Sequence, residues 1–354
     1  MNMPTRLLLT ISVSLIPAIS VAKPEVEGTD KDAPKRTEEY KEQVSDIASI
    51  TADRGIVTRP GRFTIEPSLS YAHSNSTLVA IEGFTVIPAL VIGLINISEV
   101  QRDTFVGAVS LKYGFTSRWE AAVRVPYLSI NEDIRERDVF SGTPVDNLRE
   151  SSGDGLGDVE LSTRYQLNDG LEGWPYVIGL FRVKGPTGKS PYDVDQTTLF
   201  ADDGTPIGVT LKERPTGSGF WSFEPGFSFI YPSDPAVLFG NLSYVWTLKE
   251  EQGFANGGTV DPGDIIRFGF GMGFAFNERT SFSLGYDHSV IGETSFEHGN
   301  NQFDATFDRI HVGSLSFGLA HRLSNSTTLN LSVSVGVTEN APDTEITLKL
   351  PISL

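Results

Sequence analysis

Residues 264–277 read DIIRFGFGMGFAFN. From Ile266 to Phe276 every even position is large and apolar (Ile266, Phe268, Phe270, Met272, Phe274, Phe276), while the odd positions hold Arg267, Gly269, Gly271, Gly273 and Ala275. A period of two belongs to a strand, whose successive side chains leave opposite faces. One face here is aromatic and the other nearly bare. What the aromatic face touches decides the fold.

The same alternation recurs in twelve segments: 62–72, 104–113, 119–129, 156–168, 174–184, 219–231, 236–248, 265–276, 280–290, 310–323, 328–338 and 344–354. Tight turns follow the even-numbered segments, as in GFTSR (114–118), PSDP (232–235), NER (277–279) and SNST (324–327). Longer polar loops follow the odd-numbered ones, apart from a brief last loop near ENAPD (339–343). An even number of strands, with short turns at one rim and long loops at the other, is the pattern of an outer-membrane barrel. Strands of this length cross a bilayer when tilted.

Phase carries the argument further. The more apolar phase reads Phe63, Ile65, Leu69 and Tyr71 in the first segment and Ile346, Leu348, Leu350, Ile352 and Leu354 in the last. No Asp, Glu, Lys or Arg falls on that phase in any of the twelve. The other phase holds Arg62, Glu66, Lys112, Glu120, Arg124, Asp158, Glu160, Arg164, Arg182, Lys184, Glu224, Arg267, Asp287, Arg322, Glu345 and Lys349. An Arg or Lys on a lipid-facing site costs about 2–4 kcal/mol at mid-bilayer, whereas a wet lumen accepts it. A soluble barrel with an apolar core is the rival. Twelve strands enclose more space than side chains fill, so an apolar lining would leave a void. Aromatics also gather at strand ends: Tyr113, Trp119, Tyr165, Trp174 and Tyr231 near short turns, and Tyr71, Tyr127, Trp221 and Trp246 near long loops. Two such belts suit the two interfaces of a membrane. The expectation is an all-β, twelve-stranded antiparallel transmembrane barrel in the bacterial outer membrane over residues 56–354. Outer-membrane lipid is its expected neighbour, and Glu66, Lys112, Glu120, Arg124, Glu160, Arg164, Arg182, Glu224, Arg267, Gly269, Gly271, Gly273, Asp287 and Lys349 line its lumen.

The start of the chain fits export. Residues 1–22 have a short charged head with Arg6, an apolar stretch from Leu7 to Ile19 and a small-residue end at Ser20-Val21-Ala22, the marks of a signal peptide. Its removal takes one positive charge from a net charge of -17, which gives -18. Such acidity argues against nucleic acid as a partner. The chain has no cysteine, hence no disulfide and no thiolate metal site.

Residues 23–35, KPEVEGTDKDAPK, read as a flexible linker. Residues 36–55 hold an amphipathic helix in which Tyr40, Val44 and Ile47 share a face with Ala48. It either enters the lumen as a plug, against the bare wall of Gly269, Gly271 and Gly273, or stays in the periplasm. A second unusual segment, GFTVIPALVIGLINI (83–97), is apolar on both phases but too short and too interrupted by Pro88 and Gly93 to span. It is expected to fold over or into the barrel mouth, unless strands one and two extend above the membrane.

Motifs for chemistry are scarce. GPTGKS (185–190) lacks the first glycine of a phosphate loop, where Val183 stands, and Pro191 follows it. His288 and Ser289 are neighbours on a strand and point to opposite faces, so they cannot act as base and nucleophile. SSGDGLGD (151–158) lacks the ligand order of a calcium loop. The five histidines show no metal-ligand spacing. The expectation is a protein that is not an enzyme and has no cofactor and no metal.

The set EGFTVIPALVIGLI (82–95), SGDGLGDVELSTRYQL (152–167), VKGPTGKSPY (183–192), PTGSGFW (215–221), IYPSDPAVLFGNLSY (230–244), DPGD (261–264) and LGYDHSVIGET (284–294) resembles the outer-membrane export channel of the Fap functional-amyloid system. More loosely, it resembles the barrels grouped with the meta-pathway of phenol degradation. The first resemblance implies a homotrimer of twelve-stranded barrels, each occluded by an N-terminal helix, that exports unfolded amyloid subunits. The export channel has a long periplasmic coiled coil before its plug, and only residues 23–35 occupy that place here. Two functions follow as expectations: a gated pore for amyloid subunits, or a channel for uptake of small hydrophobic or aromatic molecules. The pore calls for a wide lumen of mixed charge, and uptake for an apolar track or a lateral opening.

Overall fold

The computed structural model describes residues 57–75, 98–137, 146–170, 173–200, 206–252, 258–298 and 305–354. The expected linker, the amphipathic helix with Tyr40, Val44 and Ile47, and the apolar segment 83–97 lie outside the described residues.

The described chain forms β1 (Phe63–Asn75), β2 (Ser98–Gly114), β3 (Trp119–Arg137), β4 (Asp146–Leu156), β5 (Glu160–Gln166), β6 (Tyr176–Lys184), β7 (Gln196–Phe200), β8 (Pro206–Leu211), β9 (Ser222–Pro232), β10 (Ala236–Thr247), β11 (Glu250–Gln252), β12 (Gly258–Asp261), β13 (Ile265–Asn277), β14 (Thr280–Ile291), β15 (Thr294–His298), β16 (Ala305–Phe307), β17 (Ile310–Ser324), β18 (Thr327–Gly336), β19 (Thr344–Lys349) and β20 (Ile352–Ser353). Fourteen of these make one antiparallel sheet. Within it β4 with β5, and β19 with β20, each run as one interrupted stave, which leaves twelve. The sheet closes on itself: β19 pairs with β18 on one side and with β1 on the other, where Leu69 stands opposite Leu348. Closure leaves no free first or last stave, the condition for crossing a bilayer with strands.

Local chemistry sets the turns. At the β13–β14 turn the Asn277 side chain accepts the Arg279 N–H at 2.9 Å, an Asx-turn contact. At the β17–β18 turn Ser324 Oγ accepts the Ser326 N–H at 3.2 Å. The long-loop rim is more elaborate than the alternation implies. β2, β3 and β4 continue past the expected ends, from Ser98, to Arg137 and from Asp146. The loops add a β7–β8 hairpin and a four-stranded sheet in the order β11-β12-β15-β16.

Burial decides the orientation. On one phase Phe270 is 58%, Leu69 56% and Phe317 53% exposed. On the other, Glu120 is 2% and Ser283 and Ser316 are 3% exposed. The charged phase faces inward and the aromatic phase faces lipid. Outside, rings pair across strands, Phe270 with Tyr286 at 5.8 Å and Phe274 stacked on Phe282 at 5.2 Å. Such cross-strand pairs add to sheet stability. Trp119, Tyr165, Trp174 and Tyr231 stand exposed toward the short turns, and Tyr127, Trp221 and Trp246 toward the loops. Among the described residues, carboxylates join the outer phase near the loop rim. There Asp103 accepts from Tyr71, Asp154 from Tyr127 and Asp264 from Tyr244.

Candidate functional site

The inner wall carries the charges as a connected belt. Arg124 Nη1 lies 3.1 Å from Glu160, Arg182 Nη1 3.8 Å from Glu160 and 3.6 Å from Glu224, and Arg267 Nη1 3.3 Å from Glu224. These five residues stand on β3, β5, β6, β9 and β13, with β10 between the last two contributing Ser243, whose Oγ donates to Glu224 at 2.7 Å. Opposite signs alternate along the wall, so each carboxylate has a partner in a setting that disfavours lone charge. Nearer the short-turn rim, Lys112 Nζ pairs with Glu66 at 3.0 Å and Arg164 with Glu120 at 2.6 Å. Asp287 accepts from Ser316 at 3.2 Å, and Lys349 faces the same side between Ser68 and Asn330.

Apolar side chains share this inner face. Tyr176, Ile178, Ile230 and Val237 form a buried cluster on β6, β9 and β10 near the short turns. Val106, Leu128 and Ile130 form a second on β2 and β3. Val245, Ile265 and Ile291, with Ile310 and Val312, form a third toward the long loops. Their phase marks them: Ile178 shares the inward phase of its strand with Arg182, and Val245 with Ser243.

The third feature is a clamp in the wall. Pairing of β5 with β6 ends at Glu160–Lys184, and β4 continues beyond with no strand on that side among the described residues. Loop backbone takes over: the Arg214 N–H donates to the Ser152 carbonyl at 3.0 Å, and Thr216 Oγ1 donates to that of Leu156 at 2.8 Å. Asp158, at the break and fully buried, holds this together. Its Oδ1 accepts the Gly188 N–H at 3.1 Å, and its Oδ2 accepts Ser218 N–H and Oγ–H at 2.8 and 2.6 Å. Gly188 and Gly217 pack backbone to backbone, such that a Cβ at Gly188 would lie 2.7 Å from the Gly217 Cα. Three motifs far apart in sequence thus meet at one point. GPTGKS is a piece of wall, with its glycine at a close approach. The expected unbroken strand 156–168 is divided at 157–159, because Asp158 is pulled toward the loops.

Other expectations meet particular neighbours. The inner glycine row has company within the wall: a Cβ at Gly271 would lie 2.6 Å from the Phe239 ring and 2.4 Å from the Leu284 carbonyl oxygen. Gly269 stands between Asn241 and Asp287, and Gly273 between Val237 and Ser283. At Gly271, then, bareness needs no plug to explain it. His288 faces outward, where Nδ1 meets Tyr286 OH at 2.8 Å and Nε2 meets His311 Nδ1 at 3.3 Å. Spacing did not reveal this pair, since it joins neighbouring strands diagonally. Ser289 lies on the opposite face. The double replacement His288→Ala, Ser289→Ala should leave channel conductance unchanged, and a lipid hydrolase activity abolished by it would overturn the two-face argument.

A family model described as the putative MetA-pathway of phenol degradation matches residues 137–350, more than half of the chain. Among solved structures, an outer-membrane channel from Pseudomonas putida F1 is 13% identical, with a TM-score of 0.54, covering 84% of this chain and 97% of that one. The transport unit of the autotransporter AIDA-I from Escherichia coli is 10% identical at a TM-score of 0.45, over 89% and 97% of the two chains. The CymD monoaromatic hydrocarbon channel is 9% identical at 0.39, over 84% and 88%. The first similarity shows a shared fold, and the lower-scoring two add nothing to it.

Proposed function

The chain belongs to the family of the putative MetA-pathway of phenol degradation and forms an outer-membrane channel, and from that premise we propose that it admits small hydrophobic or aromatic molecules. The observation that carries this reading is the inner wall, where three apolar clusters flank a belt of paired charges. Outer-membrane barrels of the porin kind have polar interiors. Apolar side chains on the inner face favour partial desolvation of a small ring compound, whereas an unfolded polypeptide calls for a wide wetted bore. The family's description points the same way.

The N-terminal segment is the gate in this proposal. Thr58 N–H donates to Glu120, an inner-wall carboxylate, and Val57 is buried. The chain entering β1 thus touches the inner wall at the short-turn rim. In planar bilayers, deleting residues 23–53 should turn a mostly closed channel into a steadily conducting one. Unchanged conductance with a folded barrel would give the helix a periplasmic role instead. The opened channel also tests the solute. Phenol should reduce its single-channel current in a saturable way, and glycerol should not. Indifference to phenol, with block by an unfolded polypeptide, would move the function to export.

A further inference from the structure

The partners in the inner-wall ion pairs are not equally open to the lumen. Along the belt the Arg124 side chain is 30% exposed and its partner Glu160 6%. Arg182 is 24% and Arg267 17% exposed, and Glu224, which they share, 9%. The order is the same for Arg164 over Glu120, Arg102 over Glu132 and Lys184 over Asp158, while Lys112 and Glu66 are equal. Side-chain length accounts for this. A glutamate is short and stays against the wall, where Glu224 accepts from Ser243, whereas the longer arginine stem carries its guanidinium out to water.

Each such pair is a dipole with its positive end toward the lumen. A passing ion comes nearer to the guanidinium than to the carboxylate, and Coulomb energy falls with distance, so the pair favours an anion although its charges sum to zero. Arg124, Arg182 and Arg267 stand on β3, β6 and β13, which spreads the positive ends over a continuous run of the sheet. On the remaining staves the half-buried inner charges balance, Asp287 on β14 and Glu345 on β19 against Arg322 on β17 and Lys349 on β19. This sorting runs against the composition. The chain has 45 Asp and Glu to 28 Lys and Arg, and a pore lined in that proportion would favour cations.

We propose that the lumen is anion-selective, with Arg124, Arg182 and Arg267 setting the preference, so that small anions are the charged solutes it admits. Rings of arginine or lysine are a general means by which pores pass anions. The proposal rests on the outer-membrane channel and not on the aromatic character of the solute.

Planar bilayers holding many copies of the full mature chain in a steep KCl gradient can test this through the reversal potential. Chloride should be about threefold more permeant than potassium. Arg124→Gln combined with Arg267→Gln should bring the ratio to one or below, because Glu160 and Glu224 remain. Asp287→Asn should raise the ratio, and serves if the arginine variant does not assemble, as judged by heat-modifiable gel migration. A parent ratio at or below one, a ratio that neither replacement moves, or a parent chain that carries no current would overturn the selectivity. Block by phenol is read in symmetric salt, so the small-molecule reading and the selectivity can fail separately.

Discussion

Phe270→Arg should lower the stability of the barrel in lipid by about 2–4 kcal/mol, whereas Ser283→Arg should cost much less. Phe270 lies on the exposed phase of β13 and touches Tyr286 there. An arginine in its place puts charge against acyl chains and removes a ring pair. Ser283, on β14, faces inward between Gly273 and Gly318, where a charge does not meet acyl chains. Urea titration of both variants folded into vesicles measures the difference. Equal costs, or the reverse order, would invert the assignment of inside and outside.

The second large effect is expected at the clamp. Asp158→Ala removes the acceptor of Gly188 N–H, Ser218 N–H and Ser218 Oγ–H, and the carboxylate beside buried Lys184. Breaking a buried pair by deleting one partner costs about 3–5 kcal/mol, and each abandoned buried donor adds about 1–3 kcal/mol. The loss falls first on the loops, since most of the wall keeps its strand ladders. The variant should still migrate as a folded barrel while becoming rapidly cleaved by protease within 185–192 or 212–221. Asp158→Asn, which keeps one acceptor oxygen, should be cleaved more slowly than the alanine variant. Protease resistance equal to the parent in Asp158→Ala would show that the wall does not depend on the clamp.

The contrast between Phe270 and Asp158 also separates what sequence carries from what it does not. Bilayer and lumen act on every residue of a stave independently, through solvation. Alternation at Ile266–Phe276, the banishment of charge from one phase and the aromatic ends at Trp119 and Tyr231 therefore survive as one-dimensional patterns. Twelve staves, their order, their facing and an outer-membrane location follow from these. The export resemblance implies amyloid subunits as cargo, and no strand by itself shows the inner apolar clusters on which the uptake proposal rests. Ile178 and Val245 sit on the charged phase, where a single strand shows them as exceptions rather than as members of buried clusters.

Tertiary structure decided what depends on partners. Asp158 meets residues 30 and 60 positions away, and no local pattern states that separation. The belt from Arg124 to Arg267 exists because register sets β3, β5, β6, β9, β10 and β13 at matching heights. His288 and His311 touch because β14 pairs with β17, and Phe239 covers Gly271 because β10 lies beside β13. The sequence by itself determined which medium each side chain meets, because hydration free energy is a property of one residue at a time. Only the tertiary structure decided which side chains meet each other, because contact depends on strand register and loop path, which the whole closed sheet sets at once.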